Sequence, residues 1–357
     1  MAKTEKVEQN KPSEFSTDKS NIAEFSSDKP NILKTEYKDD EGTLIYSDCP
    51  EYVKSPGILY SDVVSGKVRV FYYHLNESKK PAKVAVILES TGRAAAVHVE
   101  KAALGKVLDD YCKLGRGIQE KMLLPESDRD DLIIVDSVRG KLLDKKMDSL
   151  ILEPNYLVEG FYDFEVKGKV KLTVFMYPVK ADPFEFLAAA EQLPAEKEQR
   201  EGTFPSLTRI VKLKKRFNPR TDGVSCIEIG TSEGKAWLKG YSAMSKKDTE
   251  NFGNYGLNYK LAFHTTSVGK THYYLEPLGG IYSGVMKAHY GYRGRKTKLI
   301  FVPENEPHFG EKGIREFADL GVYDNSEPLW FDYAVPAASN MPVRIWLVPE
   351  KDSLSHR

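Results

Sequence analysis

At 357 residues the chain is too long for one small core, and its 41% hydrophobic and 29% charged residues fit a soluble surface over real cores. Lys+Arg and Asp+Glu balance at 52 each, which excludes a global field drawing the chain to nucleic acid or an anionic membrane. The cysteines, Cys49, Cys112 and Cys226, are far apart and lack CxxC or zinc spacing, which excludes a disulfide-stapled scaffold.

Tyrosine is the unusual count, with 20 Tyr beside 16 Phe and only 3 Trp. It suits half-buried strand positions, and it is also favoured on recognition surfaces. No apolar run approaches the roughly 18–20 residues of a membrane-spanning helix. Met1-Ala2-Lys3 opens a polar stretch without the apolar centre of a secretory signal, so the chain is either cytoplasmic or lacks a leader it once had.

In chain order, residues 1–42 are polar and charged, and their composition predicts a disordered tail. A ten-residue unit occurs twice within it. Glu14-Phe15-Ser16-Thr17-Asp18-Lys19-Ser20-Asn21-Ile22 is followed by Glu24-Phe25-Ser26-Ser27-Asp28-Lys29-Pro30-Asn31-Ile32. Two readings stay open: a duplicated linker, or an arm in which Phe15, Ile22, Phe25 and Ile32 add a strand to a sheet edge of a partner or of the chain itself.

Residues 43–180 change to period two. Val68, Val70 and Tyr72 alternate with Arg69, Phe71 and Tyr73; Val84, Val86 and Leu88 follow, then Val97 and Val99, Asp131–Val135, Leu157–Val166 and Lys171–Tyr177. Short strands between Gly, Asn, Ser and Pro turns predict an antiparallel β-sandwich domain. A helical insertion interrupts it, with Leu108, Tyr111, Gly115, Ile118 and Met122 at steps of three and four. Gly115 and Gly117 within it point to close packing, or else to the approach of a ligand.

Asp182, Pro183 and Glu185 have the spacing of a helix start, and Pro194 stops that helix, so residues 181–202 are predicted to be a helix and linker. Residues 203–349 predict a second sandwich. Its strands are Arg209–Phe217, Ser225–Ile229, Gly256–His264, Thr271–Glu276, Ile281–His289, Lys298–Val302, Leu329–Tyr333 and Val343–Val348, with a short helix at Gly313–Leu320 closed by Gly321. Residues 350–357 form a C-terminal tail. The expected fold is all-β: two antiparallel β-sandwich domains with short helical insertions and a disordered N-terminal tail.

Several segments carry a resemblance. They are Gly57-Ile58-Leu59-Tyr60, Phe71-Tyr72-Tyr73-His74-Leu75-Asn76, Val84–Gly92, Tyr111–Gln119, Gly253–Tyr259 and Leu275–Gly284. Together they resemble the β-rich module of bacterial surface proteins called "copper amine oxidase N-terminal domain-containing protein". The resemblance implies an envelope or secreted protein, and no oxidase activity. An oxidase needs Asn-Tyr-Asp/Glu and a His-x-His pair, whereas Asn254-Tyr255 precedes Gly256, Asn258-Tyr259 precedes Lys260, and none of the seven His forms that pair.

No catalytic constellation, cofactor site or metal site is legible. His264, His272, His289 and His308 are scattered, Glu89 and Glu276 end strands in different domains, and Ser283 lacks the nucleophile-elbow setting. Two stretches look like recognition surfaces. His289, Tyr290, Tyr292, Arg293 and Arg295 lie on a glycine-flexible hairpin, where aromatic and basic groups suit sugars and anions. Lys212, Lys214 and Arg216 share one strand face, which fits either protection of a sheet edge or attraction of an anionic cell-wall polymer.

The expected role is that of a cell-envelope or extracellular protein that binds or assembles through its β surfaces, with itself, a cell-wall polymer or a glycan as partner and no nucleic acid. The alternative is a carbohydrate-binding or carbohydrate-active sandwich using exposed tyrosines and Trp237, Trp330 or Trp346.

Overall fold

The computed structural model describes residues 30–136, 139–198, 200–231, 237–266, 269–311 and 315–350. Among these the strands form three sheets of eleven, six and five members, and the fold is all-β. Most pairings are antiparallel. Four are parallel: Thr43–Ser47 and Tyr52–Val53 on Gly57–Asn76, Thr208–Leu213 on Asn258–Phe263, and Asn31–Ile32 on Ser225–Ile229.

The first lobe is one large sheet folded on itself. Its spine is a pair of long antiparallel strands, Gly57–Asn76 and Leu157–Pro178. Their register breaks between Val166 and Val170, opposite Gly66 and Val64, and Gly66 (φ 70°) and Gly168 (φ 108°) take the left-handed conformations this crease needs. On one side of the crease Leu157–Pro178 pairs with Ala95–Val107, and on the other with Ala82–Ser90. The two leaves enclose a core that includes Tyr60, Val70, Val86, Val97, Phe164 and Val174.

The second lobe is a sandwich of the other two sheets. The five-stranded sheet runs in the order Asn31–Ile32, Ser225–Ile229, Val343–Pro349, Lys270–Pro277, Ala318–Asp324. The six-stranded sheet runs Lys296–Val302, Gly284–Tyr290, Leu329–Ala334, Asn258–Phe263, Thr208–Leu213, Thr35–Asp39. Their inner faces meet through Leu261, Phe263, Phe331, Tyr273, Ile345 and Leu347. This cluster continues without a break to the outer face of the first lobe, at Phe71, Phe161, Leu114 and Ile118. The helix Tyr111–Leu123 fills the seam, packing on Ala95–Val107 and on the strands Gly284–Tyr290 and Leu329–Ala334. Its Gly115 is held to hydrogen by the other lobe, since a Cβ there would stand 2.3 Å from the Ala337 carbonyl oxygen; Gly117 faces open space.

Local signals explain several elements. Asp182 accepts from the amides of Phe184 and Glu185, and Pro183 opens the helix Pro183–Ala189. Elsewhere the structure departs from expectation. Asn31–Ile32 and Thr35–Asp39 are strands rather than tail, because two open sheet edges pair with them. Residues 315–320 are not helical: Ala318–Asp324 is a strand, and Gly321 (φ 102°) sits at a bulge opposite Tyr273 and Tyr274 rather than capping a helix. The strands Glu201–Phe204, Leu238–Ser242 and Lys247–Asn251 extend the first lobe's sheet, so that sheet takes strands from both sides of residue 203.

Candidate functional site

The outer face of the six-stranded sheet brings together residues from both recognition stretches. Its strands alternate buried and half-exposed positions, as in Asn258–Phe263 and Leu329–Ala334, so one side chain in two stays outside. Register then lines up a row across the sheet: Glu36, Lys212, Ala262, Trp330, His289 and Thr297. The next row is Lys38, Ile210, Lys260, Asp332, Lys287 and Leu299. Four lysines face two carboxylates on these rows, giving a net positive surface.

Trp330 is the centre of this face. The His289 imidazole stacks on it, with ring centroids 4.7 Å apart and planes 10° off parallel. The Lys260 ammonium sits 4.5 Å from its centroid, and His289 Nε2 lies 2.8 Å from Asp332 Oδ2. The turn Tyr292–Gly294 folds over the same ring, since a Cβ on Gly294 would stand 2.1 Å from Trp330. With its ring so engaged, Trp330 fixes cations in place rather than offering a bare surface to a sugar.

At the tip of that turn Tyr292 is 63% exposed. The Arg293 and Arg295 guanidinium carbons lie 5.2 and 5.9 Å from its ring centroid. Arg293 has a φ of 56°, an uncommon left-handed conformation outside glycine. The tip therefore presents two arginines around one tyrosine, beside the lysine rows. Such a surface attracts an extended anion by many point charges, each worth little alone and weakened by salt.

Other expected residues are placed differently. Tyr290 turns inward, its ring edge-on to Tyr323 at 5.4 Å, and does not join the face. The strand of Lys212 ends at Leu213, so Lys214 and Arg216 lie beyond it as exposed loop residues, with the Lys214 amide bonded to the Lys34 carbonyl. Nor does Lys212 guard an edge: Thr35–Asp39 pairs along the far side of its strand, so the protection reading fails. Of the arm residues, Phe15, Ile22 and Phe25 lie outside the described residues. Ile32 lies in the short strand Asn31–Ile32, which adds to the chain's own sheet through Ser225 and Cys226. Trp346 is buried, while Trp237 and Trp330 are half-buried.

The histidines do not converge. His272 lies on the other sheet, between Asp319 and the Tyr274 hydroxyl at 2.7 Å each, and His289 belongs to the Trp330 cluster. Among the described residues no group of three metal-ligating side chains gathers. Glu276 is buried against Arg315, Arg344 and the Trp346 indole, and Glu89 pairs with Lys171 in the other lobe.

Sequence reasoning missed one polar group. Glu159 is 2% exposed at the seam between the lobes, and its Oε2 has no hydrogen-bond partner. Burial pushes its carboxyl up to about 8. In sequence it occupies the solvent-facing phase of a period-two strand, which disguises it.

No family model matches the chain, and no curated protein matches it. Among solved structures, the N-terminal CBM22-1-CBM22-2 tandem domain of Xyn10C from Paenibacillus barcinonensis is similar at 9% identity and a TM-score of 0.14, over 93% of this chain and 95% of that one. Vicilin from Solanum lycopersicum (tomato) is similar at 11% identity and a TM-score of 0.12, over 86% of this chain and 85% of that one. Neither likeness bears on what this chain does. No helix among the described residues is long and apolar enough to cross a membrane.

Proposed function

We propose that the chain is a binding protein of the cell envelope or extracellular space that holds an anionic polymer, such as a charged cell-wall glycan, on the outer face of its six-stranded sheet. The observation that carries this reading is the alignment of Lys212, Trp330 and His289 in one cross-strand row, with Lys260 fixed on the Trp330 ring and Arg293 and Arg295 around Tyr292. Aromatic rings that pre-position cations lower the ordering cost of binding, and a flat sheet face suits an extended chain. The envelope setting rests on the resemblance of the sequence to surface-protein modules.

The test is affinity electrophoresis through gels containing teichoic acid or a neutral glucan. Teichoic acid retards the protein, and the triple variant Lys212→Glu, Lys260→Glu, Lys287→Glu runs unretarded, as does the parent at high salt. Retardation unchanged in that variant, or retardation by the neutral glucan alone, overturns the reading.

A second reading, self-assembly through the N-terminal segment, is favoured by one observation: Asn31–Ile32 and Thr35–Asp39 already add as strands to two sheet edges. Paired cysteines at the register partners Glu36 and Lys212 separate the outcomes. A disulfide within one chain overturns exchange between copies, and a disulfide-linked dimer supports it.

A further inference from the structure

A cavity of about 80 Å³ lies at the seam, walled by Phe71, Phe161 and Ile118 from the first lobe and its helix, and by Val335 and Pro336 from the second. One water needs only about 10–15 Å³ of such space, so this one has room for a small organic molecule. Glu159 is the one carboxyl in its wall without a hydrogen-bond or ion-pair partner among the described residues. Exposed Lys121 draws on the carboxyl electrostatically without reaching ion-pair distance, and the Asn258 side chain at the rim makes no hydrogen bond among the described residues; the other polar groups are committed elsewhere. Arg69 forks onto Asp163 at 2.6 and 2.7 Å and spends its remaining nitrogen on the carbonyls of Leu207 and Gly256. Lys101 is held by Asp128 at 2.6 Å and by Ser127 and the Met122 carbonyl. Gln119 accepts from the Val285 amide and donates to the Ala334 carbonyl.

An uncommitted carboxyl inside an aromatic and aliphatic wall lacks one thing, a cation carrying its own N–H donors and a short apolar body. Ca²⁺ or Mg²⁺ would need about six oxygens where the cavity offers one free carboxyl. We propose that this cavity binds a small primary alkylammonium ion, with the ammonium on Glu159 and the alkyl group against Phe71, Phe161 and Pro336. Half-exposed Lys101, Asp163 and Asn258 line the way in from solvent. Because burial keeps the empty site protonated near neutral pH, occupation transfers charge: the carboxylic acid and the alkylammonium ion give the carboxylate–alkylammonium pair and one released proton. Affinity then rises about tenfold per pH unit below 8 and levels off above it.

Isothermal titration of the full chain with ethylammonium chloride tests this, at pH 7 and pH 8.5, in two buffers of different protonation heat. The expected result is saturable one-to-one binding, proton release at pH 7, and affinity about eightfold higher at pH 8.5. Glu159→Gln keeps the shape of the site, melts no lower than the parent, and loses at least tenfold in affinity. Heats that do not saturate, that sodium chloride reproduces, or that persist in Glu159→Gln overturn the proposal and leave a cavity holding water alone.

Discussion

Arg209 and Asp39 meet as a two-point fork, Nε to Oδ1 at 2.7 Å and Nη2 to Oδ2 at 2.8 Å, and this pair fastens the N-terminal strand Thr35–Asp39 to its neighbour Thr208–Leu213. The Tyr37 ring lies 4.6 Å from the same guanidinium, and Asp40 accepts from Ser206 Oγ and from the amides of Leu207 and Thr208. Asp39→Ala takes both fork acceptors from a buried arginine and costs about 1–3 kcal/mol. Hydrogen exchange checks where the cost falls: the amides of residues 35–39 lose protection before those of the core. Removing residues 1–41 bares the edge of Thr208–Leu213, and the truncated chain associates more than the parent on size-exclusion chromatography.

Stability declines toward alkaline pH. The Glu159 carboxyl titrates near 8 in the fold and near its ordinary 4.5 when unfolded. Between these values the unfolded chain has released a proton that the fold retains, so stability falls as pH rises through this window and levels off above 8. Asp48, Glu51 and Glu201 are raised mainly by burial and add to the same trend. Chemical denaturation of Glu159→Gln at pH 6 and pH 9 shows a smaller loss than the parent.

Acid acts through His74. It is fully buried, with Nε2 2.9 Å from Ser47 Oγ and Nδ1 2.9 Å from the Pro50 carbonyl. Burial lowers its pKa to about 4, below its ordinary 6.5. As pH falls from 6.5 toward 4 the unfolded chain takes up a proton that the fold refuses, and stability drops by on the order of a few kcal/mol. Over the same range Glu159 acts in the opposite direction, so this loss is read as the difference in melting between the parent and His74→Gln from pH 7 to pH 4, with His74→Gln the less stable of the two at pH 7.

The two glycines of the seam helix respond with opposite signs. Gly115→Ala drives a methyl into the Ala337 carbonyl and costs about 1–3 kcal/mol. Gly117→Ala meets nothing within 4 Å and gains about 1 kcal/mol from helix propensity alone. Urea denaturation of the two variants side by side measures both.

These residues also mark what could be read in advance. The helix after Asp182 was legible because its cap is local chemistry, and Ser225–Ile229 because its apolar alternation is strong. Lys247–Asn251, with the sequence KDTEN, has no apolar face; an open sheet edge recruits it, which is a tertiary effect. Ala318–Asp324 escaped because Gly321 absorbs a bulge that looks in sequence like a helix stop. The basic face was half legible: its lysines and hairpin stood out, but Trp330 joined them only through a register set over four strands. Glu159 was hidden because the strand pattern cannot show that a second lobe covers the outer phase of Leu157–Val166.

The N-terminal strands have a consequence for how the molecule is made. Asn31–Ile32 and Thr35–Asp39 leave the ribosome early, yet their partners Thr208–Leu213 and Ser225–Ile229 follow nearly two hundred residues later. The first lobe's sheet is likewise incomplete until Lys247–Asn251 has emerged. Closing loops of that length carries an entropy cost before any contact compensates it. Strands made well before their partners are thus among the last to find their place, and a nascent chain halted before residue 200 carries neither lobe in finished form.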